Sequence, residues 1–278
     1  MNSPADDAVR SPFREQLEAA WERSGGFLCV GLDPDLERVR DLMPGRKGAM
    51  LDFCRAIVDA TADLVCAFKP QIAFFSACGA EHDLEALIAY IHTSHPGVPV
   101  ILDAKRGDIG SSAAQYAREA FERYGADCVT VNPYVGWEGI EPYRRYPGRG
   151  VALLCRTSNP DSGWLQDYPA NDPLYLRIAR AAAERDEGDL MLVTGAPYPE
   201  QLAAAREAAG DLPLLVPGVG TQGGDPAAVL GCVASNGRGL VVSASRSIIY
   251  AGGVADFVEA ARASAQRLYE KVRIPAPA

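Results

Sequence analysis

The sequence predicts an α/β protein whose fold is a single (β/α)8 barrel. Eight short apolar runs are each followed by a segment with helical spacing of apolar residues, and these units fill roughly 250 residues. No linker rich in proline, glycine or serine divides the 278 residues, of which 48% are hydrophobic. We therefore expect one domain over residues 1–278, with flexible ends at 1–11 and 274–278. An open, doubly wound sheet is the alternative, but no G-x-G-x-x-G motif follows the first strand.

The eight predicted strands are short runs rich in β-branched and other apolar residues. They cover residues 27–33, 64–69, 98–103, 127–131, 150–156, 189–194, 213–218 and 239–243. The segments between them show helical spacing, as in the stripe formed by Ala113, Tyr116, Ala117, Ala120, Phe121 and Tyr124. Strands that alternate with helices in this way favour a parallel sheet.

Composition excludes several classes of protein. A formal net charge of -9 argues against general binding of nucleic acid, which requires clustered Lys and Arg. No long uncharged apolar stretch and no signal-peptide pattern is found, so neither a membrane span nor secretion is expected. The seven cysteines are scattered without a C-x-x-C pair, which fits a reducing cytoplasm. The three histidines do not form a metal-ligand pattern, and we predict no metal site.

The segment 101–109, with the sequence ILDAKRGDI, places a lysine between carboxylates at the end of a predicted strand. Asp103 and Lys105 are two residues apart, so they should project from the same face and lie side by side. Asp108 follows the strand-breaking Gly107 and can face elsewhere, including another subunit. A lone pattern of this kind also fits a structural ion-pair network. The residues at the other strand ends decide between such a network and an active site.

Barrel enzymes carry their chemistry at the carboxyl ends of the strands. The polar residues at these ends include Asp33 after strand one, Lys69 after strand two, the 103–105 segment, and Arg156 to Ser158 after strand five. Strand seven opens into the glycine-rich loop 217–224, and strand eight ends in Ser245 and Arg246. Glycines allow backbone N–H groups to approach phosphate oxygens, so this loop and Arg246 predict a phosphate site.

Taken in order, these motifs resemble the orotidine 5′-phosphate decarboxylase family, and in particular its longer bacterial (type 2) branch. The resemblance depends on GLDP at 31–34, FKP at 68–70, LDAKRGDI at 102–109, PGVGTQGG at 217–224 and SRSI at 245–248. The D-x-K-x-x-D-I motif is shared with sugar-phosphate decarboxylases and aldolases of the same superfamily. The other four motifs favour the orotidine 5′-phosphate decarboxylase family over those enzymes.

The resemblance implies roles for individual residues. Lys69, Asp103, Lys105 and Asp108 would form the family's charge network, with Asp108 contributed to the site of the second subunit of a homodimer. Asp33 and Lys69 would hold ribose hydroxyls, Ser158 would contact the pyrimidine, and Gln222 and Arg246 would bind phosphate. Ile109 and Pro217 are further substrate-binding positions implied by the match. The chain departs from the family at Ser245, where glycine commonly precedes the phosphate arginine.

The resemblance also implies a reaction, in which CO2 is removed from C6 of orotidine 5′-phosphate to give uridine 5′-monophosphate (UMP) in de novo pyrimidine biosynthesis. The family uses no metal, flavin or pyridoxal phosphate, so no cofactor is expected. The protein would then stabilise the carbanion by electrostatics alone. Lys105 suits this task, because its ammonium group can offset the developing charge and then protonate C6.

Three other functions remain open from the sequence. A magnesium-dependent decarboxylase or aldolase of pentulose or hexulose phosphates shares the strand-three motif, but it would require an acidic ligand where this chain has Lys69. A Schiff-base enzyme could use Lys69 or Lys105, although flanking carboxylates disfavour the free amine. A nucleotide-binding barrel without activity is the third possibility.

Overall fold

The computed structural model describes residues 10–219 and 223–274 and contains the eight predicted parallel strands. Their bounds are β1 Leu28–Leu32, β2 Ala67–Pro70, β3 Ile101–Arg106, β4 Cys128–Val131, β5 Gly150–Arg156, β6 Leu190–Thr194, β7 Leu214–Pro217 and β8 Leu240–Ala244. Each overlaps its predicted range, since buried apolar runs of this length leave little choice of element. The (β/α)8 fold predicted from the sequence is confirmed.

The strands follow the order β2-β1-β8-β7-β6-β5-β4-β3. Parallel bridges join Phe68 to Val100 and Gln71 to Asp103, so β2 and β3 meet and bring the sheet round into a barrel. This seam places Lys69 of β2 beside Asp103 of β3. The two residues are 34 positions apart in the chain, and barrel closure brings them together.

Helices connect the strands and cover the outside of the barrel. Within the described ranges the α-helices are α1 Phe13–Ser24, α2 Leu36–Leu42, α3 Ala49–Thr61, α4 Ile72–Ser76, α5 Glu81–Ser94, α6 Gly110–Arg118, α7 Glu141–Arg144, α8 Gly163–Gln166, α9 Leu174–Arg185, α10 Pro199–Ala209, α11 Pro226–Leu230, α12 Arg246–Ile249 and α13 Phe257–Tyr269. A π-helical turn, Glu119–Arg123, extends α6, and the predicted stripe from Ala113 to Tyr124 packs inward along both. None of the helices in the described part of the chain is both long and apolar enough to cross a membrane.

Helix α1 lies at the amino ends of the strands, opposite the predicted site. The Trp21 indole donates a hydrogen bond of 2.8 Å to the Leu240 carbonyl, and Phe13 packs against Gly150, where a Cβ would collide with the ring. At the other end of the chain, the Ile274 amide donates to the Gly25 carbonyl at 3.0 Å. The amino ends are thereby covered by apolar packing, which leaves the carboxyl ends as the open face of the barrel.

Strand β3 differs from its prediction. It continues through Arg106 instead of ending at Asp103, and its pairing with β4 shifts between Leu102 and Arg106. Such a bulge redirects side chains next to functional sites. Gly107 lies just beyond the strand, as its strand-breaking character predicts.

Candidate active site

A cavity of about 320 Å3 opens at the carboxyl ends of the strands. Of the predicted site residues, it is lined by Asp33, Lys69, Asp103, Lys105, Ser158, Pro217 and Arg246. They come from the ends of six strands that are distant in sequence. The barrel therefore brings together most of the residues selected by their positions after apolar runs.

The Asp103 carboxylate lies between two ammonium groups. Lys69 Nζ donates to Asp103 Oδ2 at 2.8 Å, and Lys105 Nζ donates to Asp103 Oδ1 at 2.6 Å. Asp103 and Lys69 are buried, whereas 45% of the Lys105 side chain is exposed to the cavity opening. The prediction that Asp103 and Lys105 lie side by side is confirmed, and the accessible amine is that of Lys105.

Burial and charge act in opposite directions on this cluster. Burial alone would lower the pKa of Lys69, but the neighbouring carboxylates of Asp103 and Asp33 outweigh it and hold that pKa above its usual value. Burial alone would raise the pKa of Asp103, but Lys69 and Lys105 together hold it below the usual range. At neutral pH both members of the Lys69–Asp103 pair are therefore charged.

The lowered pKa of Asp103 predicts an acid-sensitive contribution to stability. A carboxyl group whose pKa is lower in the folded state stabilises the fold above its unfolded pKa of 3.8, and this contribution is lost as pH falls through the folded value. The urea midpoint of the wild type should therefore fall more steeply below about pH 4 than that of Asp103→Asn. Equal pH dependence of the two midpoints would contradict this assignment.

Lys105 has an unusual backbone conformation. Its φ of +47° is the only positive value for a non-glycine residue in the described part of the chain. A side chain in this left-handed region costs about 1–3 kcal/mol, and such residues concentrate at functional sites. The conformation belongs to the β3 bulge and directs the lysine toward Asp103.

Asp33 lines the cavity, and one of its two carboxylate oxygens has no hydrogen-bond partner in the described part of the chain. Ser245 Oγ donates to Asp33 Oδ2 at 2.6 Å, whereas the buried Oδ1 has no hydrogen-bond partner among the described residues. A buried acceptor without a partner is costly unless a ligand supplies a donor. Ser245, the departure from the family pattern, thus contributes a hydroxyl group that fixes the orientation of Asp33.

Ser158 is held at the rim by close packing. A Cβ on Gly195 would lie 2.7 Å from the Ser158 Cα, so only glycine permits this approach. Arg156, which also lies in the predicted rim set, is instead paired with Asp167 through bonds of 2.7 and 3.0 Å and covers the Tyr198 ring. It anchors the segment after β5 and does not line the cavity.

The predicted phosphate site consists of Arg246 and the glycine-rich loop, and the structure describes this loop except for residues 220–222. Arg246 starts α12 and lines the cavity together with Gly218 and Val219. A bridge between Val219 and Gly224 closes the base of the glycine-rich loop. Gln222 lies outside the described residues.

Asp108 and Ile109 do not line the cavity. Both lie on the loop between β3 and α6, and the Asp108 carboxylate accepts a hydrogen bond of 2.8 Å from the Ile109 amide. The contribution of Asp108 to the site of a second subunit stays a prediction.

Two sets of side-chain interactions at the site were not predicted from the sequence. Thr130 of β4 bonds to the 103–105 segment, and Ser245 bonds to Asp33. Both interactions join residues that are far apart in the chain, so no local motif indicates them. Of the tryptophans, Trp21 is buried, whereas Trp164 is 80% exposed.

The site's donor set is poorly suited to a divalent cation. Within residues 10–219 and 223–274, no group of three or more His, Cys, Asp or Glu side chains is placed to hold a metal ion. At the cavity itself, the Lys69 ammonium occupies the space beside Asp103 and would repel a cation there.

Lys69, Asp103 and Lys105 meet Arg246 at the carboxyl ends of the strands, which is where (β/α)8-barrel enzymes carry their active sites. Residues 26–263 match the family described as orotidine 5′-phosphate decarboxylase / HUMPS. The chain belongs to this family, as the motifs predicted.

The chain is similar to curated proteins over nearly its whole length. It is 54% identical over 264 residues to orotidine 5′-phosphate decarboxylase of Cupriavidus metallidurans, covering 94% of this chain and 97% of the relative. It is 56% identical over 254 residues to the protein of the same name from Dechloromonas aromatica, covering 90% and 94%. The structure of Leishmania donovani OMP decarboxylase superposes with a TM-score of 0.80 at 34% identity, covering 94% and 97%.

Proposed function

We propose that this chain is a carboxy-lyase that converts orotidine 5′-phosphate to UMP and CO2 in de novo pyrimidine biosynthesis, without a cofactor. The observation that carries the proposal is the Asp103 carboxylate held between the ammonium groups of Lys69 and Lys105, at 2.8 and 2.6 Å. This arrangement supplies positive charge and a mobile proton at one point of a partly closed cavity. A cofactor-free decarboxylation requires both.

The names of the relatives favour this activity over that of a sugar-phosphate enzyme. The family description covers both groups, but the relatives at 52–56% identity are orotidine 5′-phosphate decarboxylases. The identity of Lys69 also favours the nucleotide decarboxylase, because a metal-dependent enzyme of this superfamily would require an acidic ligand at that position.

The cavity residues suggest how the substrate lies. Arg246 and Gln222 bind the phosphate, and Pro217 at the end of β7 is a further substrate contact. Asp33 accepts a ribose hydroxyl, and Lys69 donates to the ribose, since both line the cavity. Ser158 contacts the pyrimidine ring, which places C6 and its carboxylate over Asp103 and Lys105.

In the reaction, the bond between C6 and the carboxylate breaks, and its electron pair remains on C6 while CO2 leaves. The Lys105 ammonium stabilises this pair and then transfers its proton to C6, which gives UMP. The resulting neutral amine regains a proton from solvent, to which 45% of the side chain is exposed. The atoms and charges balance without an external electron acceptor.

Repulsion between Asp103 and the substrate carboxylate contributes a minor part of the rate. Two like charges about 4 Å apart repel by roughly 4 kcal/mol at an effective dielectric constant near 20. Enzymes lower barriers by as much as about 20 kcal/mol, so most of the reduction must come from carbanion stabilisation and phosphate binding.

A Schiff-base mechanism is disfavoured by the state of the lysines. Carboxylates raise the pKa of Lys69 above its usual value, and Lys105 forms a 2.6 Å ion pair with Asp103. A nucleophilic lysine must be a free amine, which these contacts oppose.

The substrate assignment is tested by offering orotidine 5′-phosphate and a hexulose 6-phosphate to the same preparation. We expect UMP from the first substrate and no conversion of the second, with or without added Mg2+. Turnover of the sugar phosphate alone would overturn the proposal. Tight binding of UMP without decarboxylation would instead identify a barrel that only binds nucleotides.

We further propose a homodimer in which Asp108 and Ile109 of each chain complete the site of the partner. The loop that carries them adjoins a surface with five exposed apolar side chains, here called the rim patch: Ile109, Tyr134, Val135, Trp164 and Tyr168. Gly139 packs against both the Asp108 carbonyl and the Val135 side chain, which ties the loop to this patch. Exposed aromatic surface beside a polar loop favours association with a second protein surface.

Mixing inactive variants tests the shared site. Lys105→Ala and Asp108→Ala should each be inactive alone, because every site lacks one residue. After unfolding and refolding together, half of the dimers are mixed and one of their two sites is intact, so about one quarter of the sites should regain activity. If Asp108 acts in its own chain, the mixture stays inactive.

A cytoplasmic location and no association with nucleic acid complete the proposal. The seven cysteines are free thiols, six of them buried, as in a reducing compartment. The net charge of -9 repels a phosphate backbone.

A further inference from the structure

We propose that Thr130 is a positioning residue for the reaction, and that its hydroxyl group holds the backbone of Lys105 and the carboxylate of Asp103 in their working geometry. The inference rests on the proposed roles of Lys105 and Asp103. Thr130 lies in the middle of β4, next to the β3 bulge, and is 1% exposed.

The hydroxyl group makes three hydrogen bonds to one short segment. It donates to Asp103 Oδ1 at 3.0 Å, and it accepts from the amides of Ala104 at 3.0 Å and Lys105 at 2.8 Å. A hydroxyl group has one donor and two acceptor sites, so its capacity is fully used. No other residue type of this size offers the same combination.

The sheet register explains why a side chain is required here. Leu102 pairs with Val129 and Arg106 pairs with Val131, so three residues of β3 lie opposite Thr130 alone. The backbone of one residue cannot satisfy the amides of three, and buried N–H groups without partners are costly. The Thr130 hydroxyl supplies the missing acceptor for two of them.

These bonds control Lys105 at two points. One fixes its amide, in the residue with φ of +47°. Another fixes Asp103 Oδ1, the same oxygen that accepts from Lys105 Nζ at 2.6 Å. Both the origin and the end of the lysine side chain therefore depend on one hydroxyl group.

The test is Thr130→Val, which keeps the shape and removes the hydroxyl. Because a displacement of about 1 Å at a reacting group can cost on the order of 100-fold, we expect kcat to fall by about 10- to 100-fold. The phosphate and ribose contacts remain, so KM for orotidine 5′-phosphate and the affinity for UMP should stay within about threefold. Thr130→Ser restores the hydroxyl and should recover most of kcat.

Thr194 provides a matched control. It is also a buried threonine, at the carboxyl end of β6 and outside the cavity lining, and its hydroxyl has no hydrogen-bond partner among the described residues. Thr194→Val should leave kcat unchanged. Should Thr130→Val not fold, Thr130→Cys makes the same comparison, since a thiol is only a weak donor and acceptor.

A double variant separates positioning from general damage. If Thr130 acts through Lys105, Thr130→Val should reduce activity no further in a Lys105→Ala background. Wild-type kcat for Thr130→Val, or equal loss in both backgrounds, would overturn the inference. An active Lys105→Ala enzyme would instead overturn the proposed function, so the two failures are distinguishable.

Discussion

Replacing Lys105 with alanine is expected to lower kcat by about four orders of magnitude or more, since one residue supplies both a positive charge and a proton. Nucleotide binding should persist, because the phosphate, ribose and pyrimidine contacts proposed above come from other strands. The measurement is the rate of UMP formation alongside the dissociation constant for UMP. Substantial remaining decarboxylation would remove Lys105 from the role of acid.

Two further lysine variants separate the effect of charge from that of proton donation and provide a control. Lys105→Arg keeps a cation but cannot release a proton near neutral pH, so it should bind UMP and remain nearly inactive. Lys47→Ala removes an exposed lysine outside the cavity and should not change turnover. Activity of Lys105→Arg close to wild type would show that charge alone suffices.

Replacing Arg246 with alanine is expected to have the second largest effect. A charged hydrogen-bonded partner that is lost from a binding site typically costs about 2–5 kcal/mol, which corresponds to roughly 30- to 5,000-fold in affinity. This loss should appear for UMP and in kcat/KM for orotidine 5′-phosphate, and should be absent for uridine, which has no phosphate. Calorimetry with both ligands measures the difference.

Arg145 is a suitable control for this experiment. It is exposed and immediately precedes the turn into β5, at the amino ends of the strands. Arg145→Ala should bind UMP and uridine like the wild type. Equal weakening of UMP and uridine by Arg246→Ala would show that Arg246 does not contact phosphate.

The sequence predicts the barrel well because its strands are short buried apolar runs separated by helical periodicity. The same runs locate the strand ends, and hence Asp33, Lys69, Asp103, Lys105 and Arg246, before any coordinates exist. Closure of the barrel at β2 and β3 then accounts for the 2.8 Å bond between Lys69 and Asp103. Position after an apolar run is therefore a strong indicator in this fold.

Interactions within the site are not predictable in the same way. The β3 bulge depends on a register shift against β4, which no periodicity in β3 records. The Thr130 and Ser245 hydroxyls act across 27 and 212 residues. Arg156 could have served a ligand, but Asp167 pairs with it after the chain folds back 11 residues later. These outcomes depend on tertiary geometry and not on local pattern.

The exposure of the rim patch is another feature that the local sequence pattern does not predict. Trp164 is 80% exposed and lies near Tyr134, which is 74% exposed, although no local motif marks either residue as part of a surface. A single chain leaves such surface uncovered, and the proposed homodimer supplies a physical reason for it.

The central claim is that Lys105, without a metal or cofactor, neutralises and protonates the carbon from which CO2 departs. The most direct measurement follows UMP and CO2 formation from orotidine 5′-phosphate by exhaustively chelated wild-type protein and by Lys105→Ala. The account predicts equal amounts of both products at the full rate from the wild type, and a rate lower by about four orders of magnitude or more from the variant. Loss of wild-type activity on chelation with recovery on adding Mg2+, or substantial turnover by the variant, would contradict it.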